Sequence, residues 1–151
     1  MTMLADLIIP EALCPAIDAG SASAAIEFLS ARLMALGKVR PSFAAAVIAR
    51  EATMPTGLPL GDLNVAIPHT DPEHVLAPGV AVGTLRTPVQ FCSMDDPDER
   101  LPVRIVFLLA LTDKKLQLNL LQHVAEMIQQ PQRLEQLIAA TDAAAMHAAL
   151  K

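Results

Sequence analysis

The run Val103-Arg104-Ile105-Val106-Phe107-Leu108-Leu109-Ala110-Leu111 most constrains the fold of this chain. A strand with one wet face alternates apolar and polar residues, whereas this run is almost continuously apolar. It therefore predicts a central strand covered on both faces. Its most apolar part, Ile105 to Leu111, is far too short to cross a bilayer. Val65–Ile67 and Val80–Arg86 are further candidate strands.

Helical spacing flanks these strands. Ser21 or Ser23 can cap a helix running to about Leu36, with Ala22, Ile26, Leu29, Leu33 and Leu36 on one face and Gly37 ending it. Pro41 or Ser42 opens a second helix through Phe43, Val47 and Ile48 to about Ala52. After the strands, Leu116, Leu120, Val124, Met127 and Ile128 share another apolar face. Pro131 suits the first turn of a helix carrying Leu134, Leu137 and Ile138. Thr141 or Asp142 caps a last helix to about Leu150. Leu4 to Ile17 is an extended lead-in, Thr53 to Gly61 a loop punctuated by Pro and Gly, and Asp95 to Glu99 a solvated acidic turn. Helices, then strands, then helices make an α/β sandwich with a mixed sheet. The 151 residues, 53% of them hydrophobic, form one domain spanning 1–151.

Charge and cysteine usage narrow the function classes. A net charge of −5 and the absence of a basic, aromatic-interleaved stripe argue against nucleic acid. Met1 to Pro10 contains Asp6 and no basic start, so it does not read as a signal peptide. Cys14 and Cys92 are too few and too scattered for a disulfide framework or a zinc site, and read as reduced structural thiols of a cytoplasmic protein. No Walker loop, nucleophile elbow or zincin helix is present.

The chemistry centres on Asn64-Val65-Ala66-Ile67-Pro68-His69-Thr70. An apolar strand is stopped by a proline that has no N–H to give the ladder. His69 then sits just past a strand end, where side chains face a crevice, and imidazole is nucleophilic near neutral pH. Taken alone, a histidine there is usually structural. Its surroundings strengthen it: the preceding Gly/Pro-rich loop offers N–H groups to an anion, Thr70 adds a hydroxyl, and Asp71 or Glu73 could orient the ring. Arg50 closes the second helix just upstream. A guanidinium suits phosphate, but a cation at a helix C-terminus is also ordinary. His74 falls in a turn, His123 on the exposed side of its helix, and His147 near the C-terminus. The i, i+5 spacing of His69 and His74 does not suit a metal site.

Arg50-Glu51, Thr56-Gly57, Val65-Ala66-Ile67-Pro68-His69, Ala81-Val82-Gly83 and Phe107-Leu108-Leu109-Ala110 together resemble the fructose–mannitol type IIA domains of the bacterial phosphotransferase system. The resemblance runs from Leu7-Ile8 to the terminal helices. Pro68 to Val75 and Pro88 to Asp95 are most similar to the galactitol-type branch. The nitrogen-regulatory IIA proteins share the fold and the Pro-His motif.

The resemblance implies a mixed, mostly parallel five-stranded sheet flanked by helices. It implies that His69 accepts phosphate from phospho-HPr and passes it to a cysteine or histidine of a IIB component. A membrane IIC component then moves and phosphorylates the sugar or polyol, so this chain needs no membrane insertion itself. Arg50 maps near the phosphorylation site. Many members carry a second histidine two residues before a Gln at the start of the helix after the last core strand. Here Lys115 precedes Gln117. A lysine pairs with phosphate as a point charge but accepts no proton in its charged state.

The expected mechanism is in-line phosphoryl transfer through His69, without metal or organic cofactor. Arg50, Lys115 and loop N–H groups stabilise the transferring group, Thr70 donates a hydrogen bond, and Gln117 lines the pocket. Met54, Leu58, Leu60 and Leu63 form an apolar rim for small, transient protein encounters. Two other readings are a regulatory module gated by phosphorylation of His69, and a non-catalytic or small-ligand-binding remnant.

Overall fold

The computed structural model describes residues 4–150. Met1 to Met3, part of the stretch read above as lacking a signal peptide's basic start, and Lys151 lie outside the described residues. The elements in order are α1 (Leu4–Leu7), β1 (Ile8–Ile17), α2 (Ala22–Ala35), α3 (Phe43–Thr53), β2 (Gly57–Leu58), β3 (Asn64–Ala66), a 3-10 turn (Pro72–His74), β4 (Gly79–Cys92), β5 (Arg100–Ala110), α4 (Lys114–Met127), α5 (Pro131–Ala139) and α6 (Ala143–Leu150). The five strands form one mixed sheet in the order β1-β4-β5-β3-β2.

The apolar run is the middle strand, β5, and its two faces seed two cores. Val106, Leu108 and Ala110 pack with Ile26, Leu29, Leu33, Phe43 and Val47 of α2 and α3. Ile105, Phe107 and Leu109 pack with Leu120, Val124, Leu134, Leu137 and Met146 of α4 to α6. The period of two along a strand thus shares one segment between both layers. No helix among the described residues is long and apolar enough to cross a membrane.

Two of the four pairings are parallel, β1 with β4 and β3 with β5, rather than most of them. β4 and β5 are antiparallel because only the acidic turn joins them, and a short turn cannot connect parallel neighbours. Asp95 to Glu99 are all exposed, as expected of a solvated turn. β4 also continues past Arg86 to Cys92. The ladder slips between Thr84–Ile105 and Val89–Val103, and Pro88 lies within the slipped segment, where its missing N–H costs no ladder bond. Arg104 closes the irregularity by donating from Nε to the Leu85 carbonyl at 2.8 Å.

The caps resolve the alternatives left by the sequence. Ser21 Oγ accepts from the Ala24 N–H, and Asp142 Oδ1 from the Ala145 N–H. Ser42 precedes α3 without capping it, because its hydroxyl bonds His74 Nδ1 instead, at 2.8 Å.

The loop expected over Thr53 to Gly61 contains a short strand, β2, which pairs antiparallel with β3 through Gly57–Ala66 and Leu58–Val65. Gly57 is needed there for close approach: a Cβ at this position would lie 2.5 Å from the Cys92 carbonyl oxygen. Gly57→Ala must displace β2 or the end of β4, and is expected to cost about 1–3 kcal/mol. Denaturant unfolding checks this, and unchanged stability would mean that the backbones have room to separate.

Candidate functional site

Three consecutive residues carry β3 into the site. The Ile67 N–H is shared between Thr56 Oγ1 at 3.2 Å and the Thr56 carbonyl at 3.3 Å. Pro68 has no N–H, and its carbonyl accepts from the Leu109 N–H of β5 at 3.0 Å. His69 follows, with ring nitrogen Nδ1 2.9 Å from the Ile67 carbonyl oxygen. A carbonyl can only accept, so Nδ1 carries the proton. In the neutral ring the lone pair is therefore left on Nε2.

The ring is held in that neutral form. Burial pushes its pKa below the ordinary 6.5, and the Arg50 guanidinium adds to this. The Ile67 bond and the Asp71 carboxylate oppose the shift without reversing it. Neither acid expected to orient the imidazole touches it. Asp71 Oδ1 lies 3.5 Å from Arg50 Nη1, and Glu73 Oε1 lies 3.7 Å from His74 Nε2. Orientation comes from a main-chain carbonyl instead.

His69 lines a hollow of about 300 Å³ together with Arg50, Thr70, Asp71, Lys114, Gln117 and Leu118. Four expected site residues, His69, Arg50, Thr70 and Gln117, thus meet in one place. Lys115 does not join them: it is exposed and lies outside the lining, whereas Lys114 is part of it. The cause is helix geometry. Asp113 caps α4 by accepting from the Leu116 N–H at 2.7 Å, so the helix starts at Lys114. Residues 114, 117, 118 and 121 then share one face, and 115 is turned away by a full step of the helix.

The apolar wall also differs from expectation. Leu118, 61% exposed, and Leu121 line the hollow, both from α4. Met54, Leu58, Leu60 and Leu63 do not line it; Leu58 and Leu63 pack instead against the core beneath α4 to α6. The i, i+3, i+4, i+7 series from Lys114 was the available signal for Lys114, Leu118 and Leu121.

Arg50 stands in the last turn of α3. Its guanidinium makes one long contact, Nη1 to Asp71 Oδ1 at 3.5 Å, and its Nε is buried without a hydrogen-bond partner among the described residues. Such a buried donor is costly to leave unmet, while the guanidinium as a whole lines the hollow.

The remaining histidines have other duties. His74 ties the 3-10 turn to the start of α3 through Ser42. His123, expected to be exposed, is half-buried because its Nδ1 accepts the Leu4 N–H at 3.0 Å. His147 is half-buried on α6 and does not line the hollow. A larger open groove of about 730 Å³ beside α5 and α6 is lined by Gln130, Gln132, Arg133, Gln136 and neighbouring apolar residues, with no nucleophile among them.

Residues 10–151 match the family described as "Phosphoenolpyruvate-dependent sugar phosphotransferase system, EIIA 2". The chain belongs to this family. It is 34% identical over 106 residues to the galactitol-specific EIIA component of Escherichia coli K12, covering 70% of each protein. Its fold is similar to the solution structure of the E. coli mannitol-specific cryptic enzyme IIA CmtB, with TM-score 0.79, 21% identity and 97% of both chains covered. It is similar too to a complex of E. coli IIAMTL with phosphorylated IIBMTL, with TM-score 0.75, 23% identity and coverage of 93% of this chain and 94% of that one. This EIIA chain therefore has a phosphotransfer role, and the galactitol-type kinship expected from its sequence is found.

Because Arg50 and burial both disfavour the imidazolium, the His69 pKa in the wild-type protein is expected below 6.5. Arg50→Ala removes a neighbouring cation, so the pKa should rise toward the ordinary value while the burial contribution persists. NMR titration of the ring measures both, and an Arg50→Ala pKa equal to or below wild type would contradict this electrostatic assignment.

Proposed function

We propose that this chain is the IIA phosphocarrier of a galactitol-like sugar or polyol phosphotransferase system, working in the cytoplasm. His69 takes the phosphoryl group from phospho-HPr and passes it to a IIB component, which feeds a membrane IIC component. The observation that carries this reading is the Nδ1–H bond to the Ile67 carbonyl. It leaves Nε2 as the nucleophile, in a hollow that also holds two cationic side chains. The solved IIA–IIB complex supports a IIB acceptor, and the galactitol-specific relative supports transport over a purely regulatory role.

In the proposed step the Nε2 lone pair attacks the phosphorus of the donor phosphohistidine. A new N–P bond forms as the donor's N–P bond breaks, and the departing imidazole keeps the electron pair of that bond. Positive charge accumulates on the His69 ring, and the Nδ1–H···O=C bond strengthens with it. Charge spreads over the three peripheral phosphoryl oxygens, where positioned cations act most strongly. Arg50 supplies a planar fork of donors and Lys114 a point charge. Thr70 and Gln117 supply neutral polar groups. Leu118 and Leu121 give donor and acceptor proteins an apolar patch to cover, which excludes water during transfer.

The test is incubation with labelled phospho-HPr. Wild type should acquire acid-labile label and pass it to a IIB domain, while His69→Ala acquires none. Lys114→Ala should slow labelling by about tenfold or more, and Lys115→Ala should stay within about twofold of wild type. Absence of label on the wild type contradicts the phosphocarrier reading. Label that never leaves for any IIB domain favours the regulatory one, and equal effects of the two lysines contradict the assignment to Lys114.

A further inference from the structure

Glu51 is a half-buried carboxylate that the phosphoryl step does not use. Its Oε1 accepts the Thr56 hydroxyl at 2.7 Å, and its Oε2 accepts the Thr56 N–H at 2.8 Å. Burial raises its pKa, and the two Thr56 bonds only partly offset that. A carboxylate kept there against its desolvation cost needs a reason. Each of its oxygens meets one Thr56 donor, whereas a glutamine amide would offer a single oxygen and bring two N–H donors of its own.

The consequence runs on to the nucleophile. Thr56 is buried, at 3% exposure. Its hydroxyl has one proton, and an ionised Glu51 can only accept, so that proton goes to Oε1. The hydroxyl oxygen is left as an acceptor for the Ile67 N–H at 3.2 Å. The carbonyl of the same residue accepts Nδ1–H of His69 at 2.9 Å. On the other side, the Leu109 N–H pins the Pro68 carbonyl. The residue that selects the ring tautomer is thus itself held by Glu51 through Thr56.

We propose that Glu51 and Thr56 are positioning residues for His69: through Ile67 they fix the neutral ring in the Nδ1–H form and keep Nε2 free to react. The consequence for rate rests on the phosphocarrier reading, whereas the consequence for the tautomer does not. Thr56→Val keeps the volume and removes the hydroxyl, while the Thr56 carbonyl remains as a second acceptor for the Ile67 N–H. Thr56→Ser keeps the hydroxyl. Glu51→Gln keeps one of the two acceptors.

The test combines nitrogen-15 NMR of the unphosphorylated His69 ring with the rate of labelling from phospho-HPr. Wild type and Thr56→Ser are expected to show a single neutral tautomer with the proton on Nδ1. Thr56→Val and Glu51→Gln should populate the Nε2–H form and label about tenfold more slowly at saturating donor, with the KM for the donor little changed. A purely structural role would lower stability without moving the tautomer. Retention of the wild-type tautomer in both Thr56→Val and Glu51→Gln overturns the proposal, as does failure of Thr56→Ser to match wild type. If wild type takes no label while the tautomer shifts as expected, the phosphocarrier reading fails and the positioning relation stands.

Discussion

The bond from His69 Nδ1 to the Ile67 carbonyl decides what this site can do. It chooses which ring nitrogen keeps a lone pair, and it does so with a main-chain group that neither titrates nor rotates away. A carboxylate in that place would have held the ring equally well and favoured its protonation. The carbonyl orients with a weaker pull, so burial and Arg50 prevail and the imidazole stays neutral. An uncharged, oriented ring is the condition for nucleophilic attack on phosphorus, and in the proposed transfer the cations around it act on the incoming group.

That carbonyl is positioned by the sheet. β3 is short, but it lies between β2 and β5, which is buried from Ile105 to Ala110, and the segment beyond it is bonded to Thr56 on one side and Leu109 on the other. β5 is rigid because both of its faces are packed, one on α2 and α3 and one on α4 to α6. The helices on opposite faces also deliver the two cations: Arg50 ends α3 and Lys114 begins α4. Folding the two cores therefore assembles the site, and the precision of the hollow depends on packing distant from it.

Much of this was legible in the chain because periodicity reports burial directly. The run from Val103 to Leu111 announced a strand covered twice, and the Pro-His step placed His69 just past a strand end, where it lines a hollow. What was not legible depended on tertiary partners. The strand read as Val80–Arg86 stopped short of Cys92, because nothing local shows that Arg104 bridges a slipped ladder across Pro88. Gly57 and Leu58 looked like loop, because two residues carry no period and only pairing with β3 makes them a strand. His123 looked exposed, since its partner is the main chain of Leu4, 119 positions away. Lys115 was chosen by its spacing from Gln117, and the cap at Asp113 instead turns Lys114 into the hollow.

The phosphorylated protein offers the most direct test. Long-range proton–nitrogen correlation, with phosphorus coupling, identifies which nitrogen of His69 bears the phosphoryl group. Phosphorus is expected on Nε2, with Nδ1 still protonated and bonded to the Ile67 carbonyl. Phosphorus on Nδ1, or on any residue other than His69, would contradict it.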